Sequence, residues 1–201
     1  MRFAAFHYAA RVLGPVLALA AYLLGSISFA LIAAARAGVD LRIEGSGNPG
    51  ATNVGRVLGK RTGRVVLVLD LAKGALPAGV AWALGVGATW SAVVGVAAVA
   101  GHCFPIWHGF RGGKGAATAA GVMLVLAPLG GVAAVLTYVI AKRLSKRASV
   151  GSLLGASLGA LVASFTVEAP RIAMAWTIVV LVCVRHADNL ARLANGTEPE
   201  S

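Results

Sequence analysis

No charged side chain occurs between Arg11 and Arg36, which leaves an uninterrupted run of 24 residues, 12 to 35. At about 1.5 Å per helical residue this is longer than the ~30 Å hydrocarbon core of a bilayer requires. Further apolar runs follow at 64–86, 88–107, 114–128, 129–143, 149–167 and 169–185. A chain patterned this way has one economical solution, a bundle of membrane-spanning helices in which every backbone polar group is bonded internally. Composition agrees, with 58% apolar residues and only 12% charged, about half the charge of a soluble domain.

Ala33-Ala34-Ala35 reads as a signal-peptide cleavage site, but the run before it exceeds the ~7–15 residues of a signal core and the rest of the chain is equally apolar. The segments 114–128 and 129–143 are short for spans. Pro128, followed by Gly130-Gly131, argues for a helix break between them, because proline removes a backbone donor and glycine relaxes φ. The net charge of +11, from 18 Lys+Arg against 7 Asp+Glu, then decides the count through the positive-inside rule. With seven spans, 14 basic residues fall on one side, and only Arg2, Arg11 and Arg171 on the other, with Lys73 inside a span. A single helix over 115–141 would destroy that segregation. The expectation is therefore an all-α, polytopic integral membrane bundle of seven transmembrane helices, two of them short. Its N-terminus lies outside and its C-terminus in the cytoplasm, with 1–11 an extracytoplasmic extension and 186–201 a cytoplasmic tail.

A basic balance often signals nucleic acid, but aromatic residues are 6% and no basic amphipathic block occurs, so no nucleic-acid partner is expected. Cys103 and Cys183 are isolated in apolar stretches and read as small buried hydrophobes. Gly151, Gly155 and Gly159 form a stripe on one helix face suited to close helix packing.

The polar residues gather in the loops assigned to the cytoplasmic side. The first carries Gly45-Ser46-Gly47-Asn48-Pro49-Gly50-Ala51-Thr52-Asn53, with Arg56 three residues on. Glycines let backbone N–H groups converge into an anion-binding nest, to which hydroxyl, amide and guanidinium donors add. The second reads Gly112-Gly113-Lys114-Gly115 ahead of a helix, again free N–H groups beside a cation. It is not a Walker A loop, since Gly115 stands where the magnesium-binding Ser/Thr belongs, and no G-x-G-x-x-G follows a strand. A basic turn leads to Ser149 and Ser152, and after the last run His186 and Asn189 share a face if the helix continues. Asp70 and Lys73 form an i,i+3 pair inside a span, a functional flag in a membrane as well as a possible brace. No set of acids with metal-ligand spacing is present: Asp40, Asp70, Asp188, Glu44, Glu168, Glu198 and Glu200 are isolated.

These motifs closely resemble those of the bacterial acyl-phosphate:glycerol-3-phosphate acyltransferase (PlsY) family. The family pattern G-S-G-N-x-G-A-T-N-x-x-R is matched from Gly45 to Arg56, and G-H-x-F-P followed by F-[KR]-G-G-K-G-x-A-T from Gly101 to Thr118. A third pattern is matched by His186, Asn189, Arg192-Leu193, Gly196 and Glu198; Asp70-x-x-Lys73-Gly74 and Ser149-x-x-Ser152 also fit. Departures are small: Gly25-Ser26-Ile27-Ser28-Phe29-Ala30 replaces G-S-I-P-F-G, and Arg111 replaces a commoner lysine.

The resemblance implies a single acyltransferase domain over 1–201 in the bacterial inner membrane, its active site facing the cytoplasm. It implies acyl transfer from acyl phosphate to the 1-hydroxyl of glycerol 3-phosphate, with lysophosphatidic acid as product, no cofactor or metal, and no obligate protein partner beyond the lipid bilayer. By that likeness Ser46, Gly47, Asn48, Gly50 and Thr52 cradle the acyl phosphate, and Arg56, Lys114, Ser152, His186 and Asn189 hold glycerol 3-phosphate. Gly45, Asn53, Gly112, Gly113, Gly115 and Ser149 complete the substrate loops. Ser46, Arg56, Lys114, His186 and Asn189 form the catalytic set, in which His186 or the departing phosphate takes the proton. The competing readings are an anion transporter or lipid flippase, against which no inverted repeat of the first motif occurs, and a metal-dependent CDP-alcohol phosphotransferase, which lacks its clustered aspartates.

Overall fold

A computed structural model describes the backbone of residues 2–201 and the side chains from residue 12 onward. Its elements are α1 (Arg2–Gly25), α2 (Phe29–Arg36), α3 (Ala51–Val57), α4 (Lys60–Ala83), α5 (Ala88–Cys103), α6 (Ala116–Leu126), α7 (Pro128–Ser145), α8 (Ala148–Ala163), α9 (Ala169–Arg185) and α10 (Ala187–Ala194). Among the described residues there is no strand.

The centre of the bundle is α5, which packs on α1, α4 and α9 through buried Val94, Ala98, Val99, Ile178 and Val182. Large apolar side chains point outward all round: Leu76 and Leu129 are 63% exposed and Phe165 is 83% exposed. So much exposed apolar surface is incompatible with water and is what a lipid-embedded protein presents. Among the described residues, three segments are long and apolar enough to cross a bilayer alone, Val12–Arg36, Lys60–Ala83 and Ala88–His108. The pair α9 and α10 qualifies only together, bent by 61°. The seven-span expectation therefore meets three to four clear spans, with α6 at 11 residues and α8 at 16.

The structure modifies three local expectations. The first run is not one helix: α1 ends at Gly25 and α2 starts after Ser28, whose hydroxyl accepts the Leu31 N–H at 3.3 Å. A serine N-cap competes successfully with helix continuation. The 1–11 segment is helical from Arg2 and continuous with α1. The run 129–143 extends to Pro128–Ser145, because the basic pair Lys142-Arg143 does not stop a helix; it ends where Lys146 turns left-handed at φ 57. The break at Pro128 is present, with proline at the start of α7.

Close helix approach rests on glycines. The stripe Gly151–Gly155–Gly159 of α8 packs against α7, the three glycines facing the Tyr138, Ala134 and Gly130 carbonyls in turn. Gly121 of α6 abuts the Leu71 carbonyl of α4, and Gly74 of α4 abuts the Thr118 backbone. A methyl at Gly121 meets rigid backbone and forces the helices apart, at a cost of about 1–3 kcal/mol. Gly121→Ala is therefore expected to lower the melting temperature in detergent, despite alanine's better helix propensity. Gly79→Ala, where the methyl meets nothing within 4 Å, is expected to leave it unchanged or raised.

Candidate active site

The first glycine loop is folded around one side chain. Asn53, 1% exposed, accepts the Ser46 N–H at 2.9 Å through Oδ1 and donates from Nδ2 to the carbonyls of Glu44 at 3.0 Å and Leu41 at 3.4 Å. Its amide groups are thereby committed to the loop backbone. Gly45 packs on the Asn53 carboxamide and, like Gly47, holds a positive φ. Held this way, the loop presents Ser46, Asn48, Gly50, Thr52 and Arg56 to one cavity.

The second loop forms one wall of that cavity. Gly112 N–H donates to the Cys103 carbonyl at 3.2 Å and Gly113 N–H to the His102 carbonyl at 3.1 Å. From the other side Arg185 donates to the carbonyls of Gly112 at 2.8 Å and Gly113 at 3.1 Å, with its guanidinium 5.4 Å from the Phe104 ring centroid. Gly115, left-handed at φ 79, then starts α6. Lys114, Gly115, Ala116 and Ala117 line the cavity, so the first turn of α6, whose N–H groups have no partner within the helix, begins at its wall. Gly112 and Gly113 do not line it; they stand behind Lys114, as Gly45 and Gly47 stand behind Ser46.

The start of α8 adds Ser149 and Ser152, and the junction of α9 and α10 adds His186 and Asn189. The helix does not continue through His186: its ring sits at the 61° bend, with Nδ1 2.8 Å from the Val182 carbonyl. A carbonyl only accepts, so Nδ1 carries the proton and Nε2 is an acceptor. Asn189 donates to Glu198 at 2.6 Å, while its buried Oδ1 has no hydrogen-bond partner.

Glu198 is the residue that sequence reading treated as a lone acid. Its carboxylate, 7% exposed, accepts from Ser149 Oγ at 2.7 Å, Asn189 Nδ2 at 2.6 Å and Arg192 Nε at 2.9 Å. The tail carrying it returns over the cavity, where the Glu200 carbonyl accepts from Arg56 at 2.6 Å. The signal was the G-x-E step in the third motif; its long-range partners were not.

Burial pushes the Lys114 ammonium down to about 8, with Arg192 and Arg185 adding to the depression and Glu198 and Asp188 opposing it. Burial likewise pushes His186 down to about 4, against its hydrogen bond to Val182, so the imidazole is neutral at physiological pH. Burial alone would raise the Glu198 carboxyl, but the hydrogen bonds from Ser149, Asn189 and Arg192 outweigh it and hold it below its ordinary value.

The cavity measures about 310 Å³. Its second half is apolar, running between α4, α6, α7 and α8 past Leu71, Ala120, Met123, Ala134 and Gly155. It reaches the outer surface at Leu67 and Val139, each 39% exposed. One chamber thus joins glycine-rich polar loops to an apolar slot. With so much apolar surface exposed around it, the fold is that of a membrane-embedded helical protein.

Comparison with known proteins agrees. Residues 15–196 match the glycerol-3-phosphate acyltransferase family, and the chain belongs to that family. It is 45% identical over 195 residues to the glycerol-3-phosphate acyltransferase of Anaeromyxobacter dehalogenans (strain 2CP-C), covering 93% of this chain and 96% of the relative. It is 45% identical over 185 residues to that of Myxococcus xanthus (strain DK1622), covering 90% and 96%. The crystal structure of PlsY (YgiH), an integral membrane glycerol 3-phosphate acyltransferase, superimposes in its glycerol 3-phosphate form with a TM-score of 0.88 at 38% identity, covering 94% of this chain and 95% of that one. Its lysophosphatidic acid form gives 0.85 at 38% identity, covering 93% and 94%.

Proposed function

We propose that this protein transfers a fatty acyl group from acyl phosphate to the 1-hydroxyl of sn-glycerol 3-phosphate, releasing phosphate and forming lysophosphatidic acid. The observation that carries the reading is the two-sided chamber: Lys114 and glycine loops at one end, a lipid-accessible apolar slot at the other, in a chain of this family.

Each phosphate brings about 1.5 to 2 negative charges at neutral pH, so the two substrates repel each other. Arg56, Lys114 and the N-terminus of α6 offset that repulsion. Ser46, Asn48, Gly50 and Thr52 cradle the acyl phosphate, and its chain lies in the slot. Lys114, Arg56, Ser152, His186 and Asn189 hold glycerol 3-phosphate, with Asn189 Oδ1 free to accept from a glycerol hydroxyl. The hydroxyl oxygen attacks the carbonyl carbon, the tetrahedral oxyanion collapses, and the bond to the phosphate oxygen breaks. The mixed anhydride is already activated, so no covalent enzyme intermediate is required. Burial keeps the His186 imidazole neutral, so its Nε2 accepts from the glycerol hydroxyl and orients it. The proton passes to the departing phosphate, which gains negative charge as the bond breaks.

The same reading places residues 1–201 in one domain crossing the bacterial inner membrane seven times. The N-terminus is outside and residues 186–201 are cytoplasmic, because the anion loops share one face with most of the basic residues. It needs no cofactor and no protein partner. Purified protein in detergent, supplied with glycerol 3-phosphate and separately with acyl phosphate, acyl-CoA or acyl carrier protein, tests the donor. Product from acyl phosphate alone supports the proposal; product from a thioester instead replaces the donor, and no product from any would favour a carrier.

The Lys114 shift has a pH consequence. Only charged Lys114 attracts the substrate phosphate, and the free protein loses that charge as pH rises through about 8. The value of kcat/KM for glycerol 3-phosphate is expected to fall on that alkaline limb, while kcat at saturation stays flatter because the bound dianion restores the proton. In Lys114→Arg, whose guanidinium does not deprotonate, the limb near 8 is expected to vanish.

A further inference from the structure

Asp70 and Lys73 are 2% and 3% exposed and take no part in the reaction proposed above. Their carboxylate and ammonium lie 2.9 Å apart on one face of α4. A desolvated ion pair within a single helix contributes little net stability, and apolar replacements are often neutral or better. Its neighbours are more informative. Lys73 Nζ donates to the Ile27 carbonyl at 2.9 Å, inside the break between α1 and α2, and lies 5.7 Å from the Phe29 ring centroid. Asp70 Oδ1 lies 3.7 Å from His102 Nδ1, and the same nitrogen is 3.2 Å from Thr118 Oγ1 in the first turn of α6. His102 is the platform of the second loop: its carbonyl takes the Gly113 N–H, and a Cβ on Gly113 would strike the imidazole at Nε2.

We propose that Asp70 is a positioning residue for the Gly112–Lys114 turn, acting through the imidazole of His102. Lys73 holds the carboxylate at 2.9 Å, Thr118 holds the ring by a hydrogen bond while the carboxylate 3.7 Å away biases it electrostatically, and the ring sets the height of Gly113 against Arg185. Lys114, the next residue, is thereby aimed at the substrate phosphate. Asp70 and His102 also line the wall of the cavity; the output proposed for the network is the place of one ammonium group. The inference rests on the reading of Lys114 as a phosphate ligand.

The test compares wild type with Asp70→Asn/Lys73→Met, which removes both charges together so that neither is left buried alone, and with the near-isosteric Thr118→Val. Two readouts are taken: steady-state kinetics with acyl phosphate, and the rise in detergent melting temperature on adding glycerol 3-phosphate. Ligand stabilisation reports binding without turnover. The double variant is expected to melt, without ligand, within a few degrees of wild type, to lose most of the ligand-induced rise, and to show KM for glycerol 3-phosphate raised about tenfold or more with kcat within about threefold. Thr118→Val is expected to show the same split to a smaller extent. Unchanged KM in both variants would overturn the proposal, as would a fall in kcat or intrinsic melting temperature with KM unmoved, which marks a structural brace. If the double variant does not fold, Thr118→Val decides alone by the same split. A wild-type protein that neither turns over nor gains stability from glycerol 3-phosphate would instead refute the functional reading.

Discussion

Replacing Lys114 by methionine is expected to lower kcat/KM for glycerol 3-phosphate by roughly a hundred- to a thousand-fold, with the bundle intact. The residue is half-buried at the cavity wall, between the second glycine loop and the first turn of α6. Losing a charge-assisted partner in such a place costs about 3–4 kcal/mol, at about 1.4 kcal/mol per tenfold. Methionine keeps the apolar stem and removes only the charge, so the intrinsic melting temperature should hold or rise, relieved of a desolvated ammonium. Kinetics and melting curves measured together check both halves. Undiminished kcat/KM would remove Lys114 from the site.

Gly113→Ala should be nearly as damaging, though the glycine does not line the cavity. Its Cα is confined between the His102 ring and the carbonyl clamp of Arg185. A methyl there displaces the turn by about an ångström, and misplacement on that scale costs on the order of a hundredfold in rate. Gly109→Ala is the control. Gly109 holds a positive φ, at 59, but nothing lies within 4 Å of its Cβ position, so only local backbone strain of ~1 kcal/mol follows. Activity lost at Gly113 and kept at Gly109 supports the clamp; equal losses would reduce it to general loop strain.

Much of the site was legible in the sequence, because its residues come in contiguous runs whose glycine, hydroxyl and cation content is unexpected in a membrane protein. The break at Pro128 and the packing stripe of α8 were legible for a similar reason, as proline and glycine act locally. What escaped depends on contacts across the chain. Ser28 caps α2 with its own hydroxyl, but the gap before it also draws in Lys73, 45 residues later, whose ammonium donates to the Ile27 carbonyl. Glu198 reads as a lone acid until the tail returns it to Ser149, 49 residues away. Arg185 falls among the topological cations, yet it grips a loop 72 residues earlier. Gly45, Gly47, Gly112 and Gly113 lie just behind the residues that line the cavity, where they shape the backbone, a position that sequence spacing alone does not show.

Under the proposed function, a sideways entry at exposed Leu67 and Val139, which line the apolar end of the cavity, changes what concentration means for this catalyst. An acyl donor arriving through it never leaves the leaflet, so its search is two-dimensional and its saturation is governed by mole fraction in the lipid rather than by molarity. Glycerol 3-phosphate, arriving from the opposite end, obeys ordinary bulk kinetics. Diluting the bilayer with inert lipid at fixed total donor should therefore mimic competitive inhibition against one substrate and leave the other untouched.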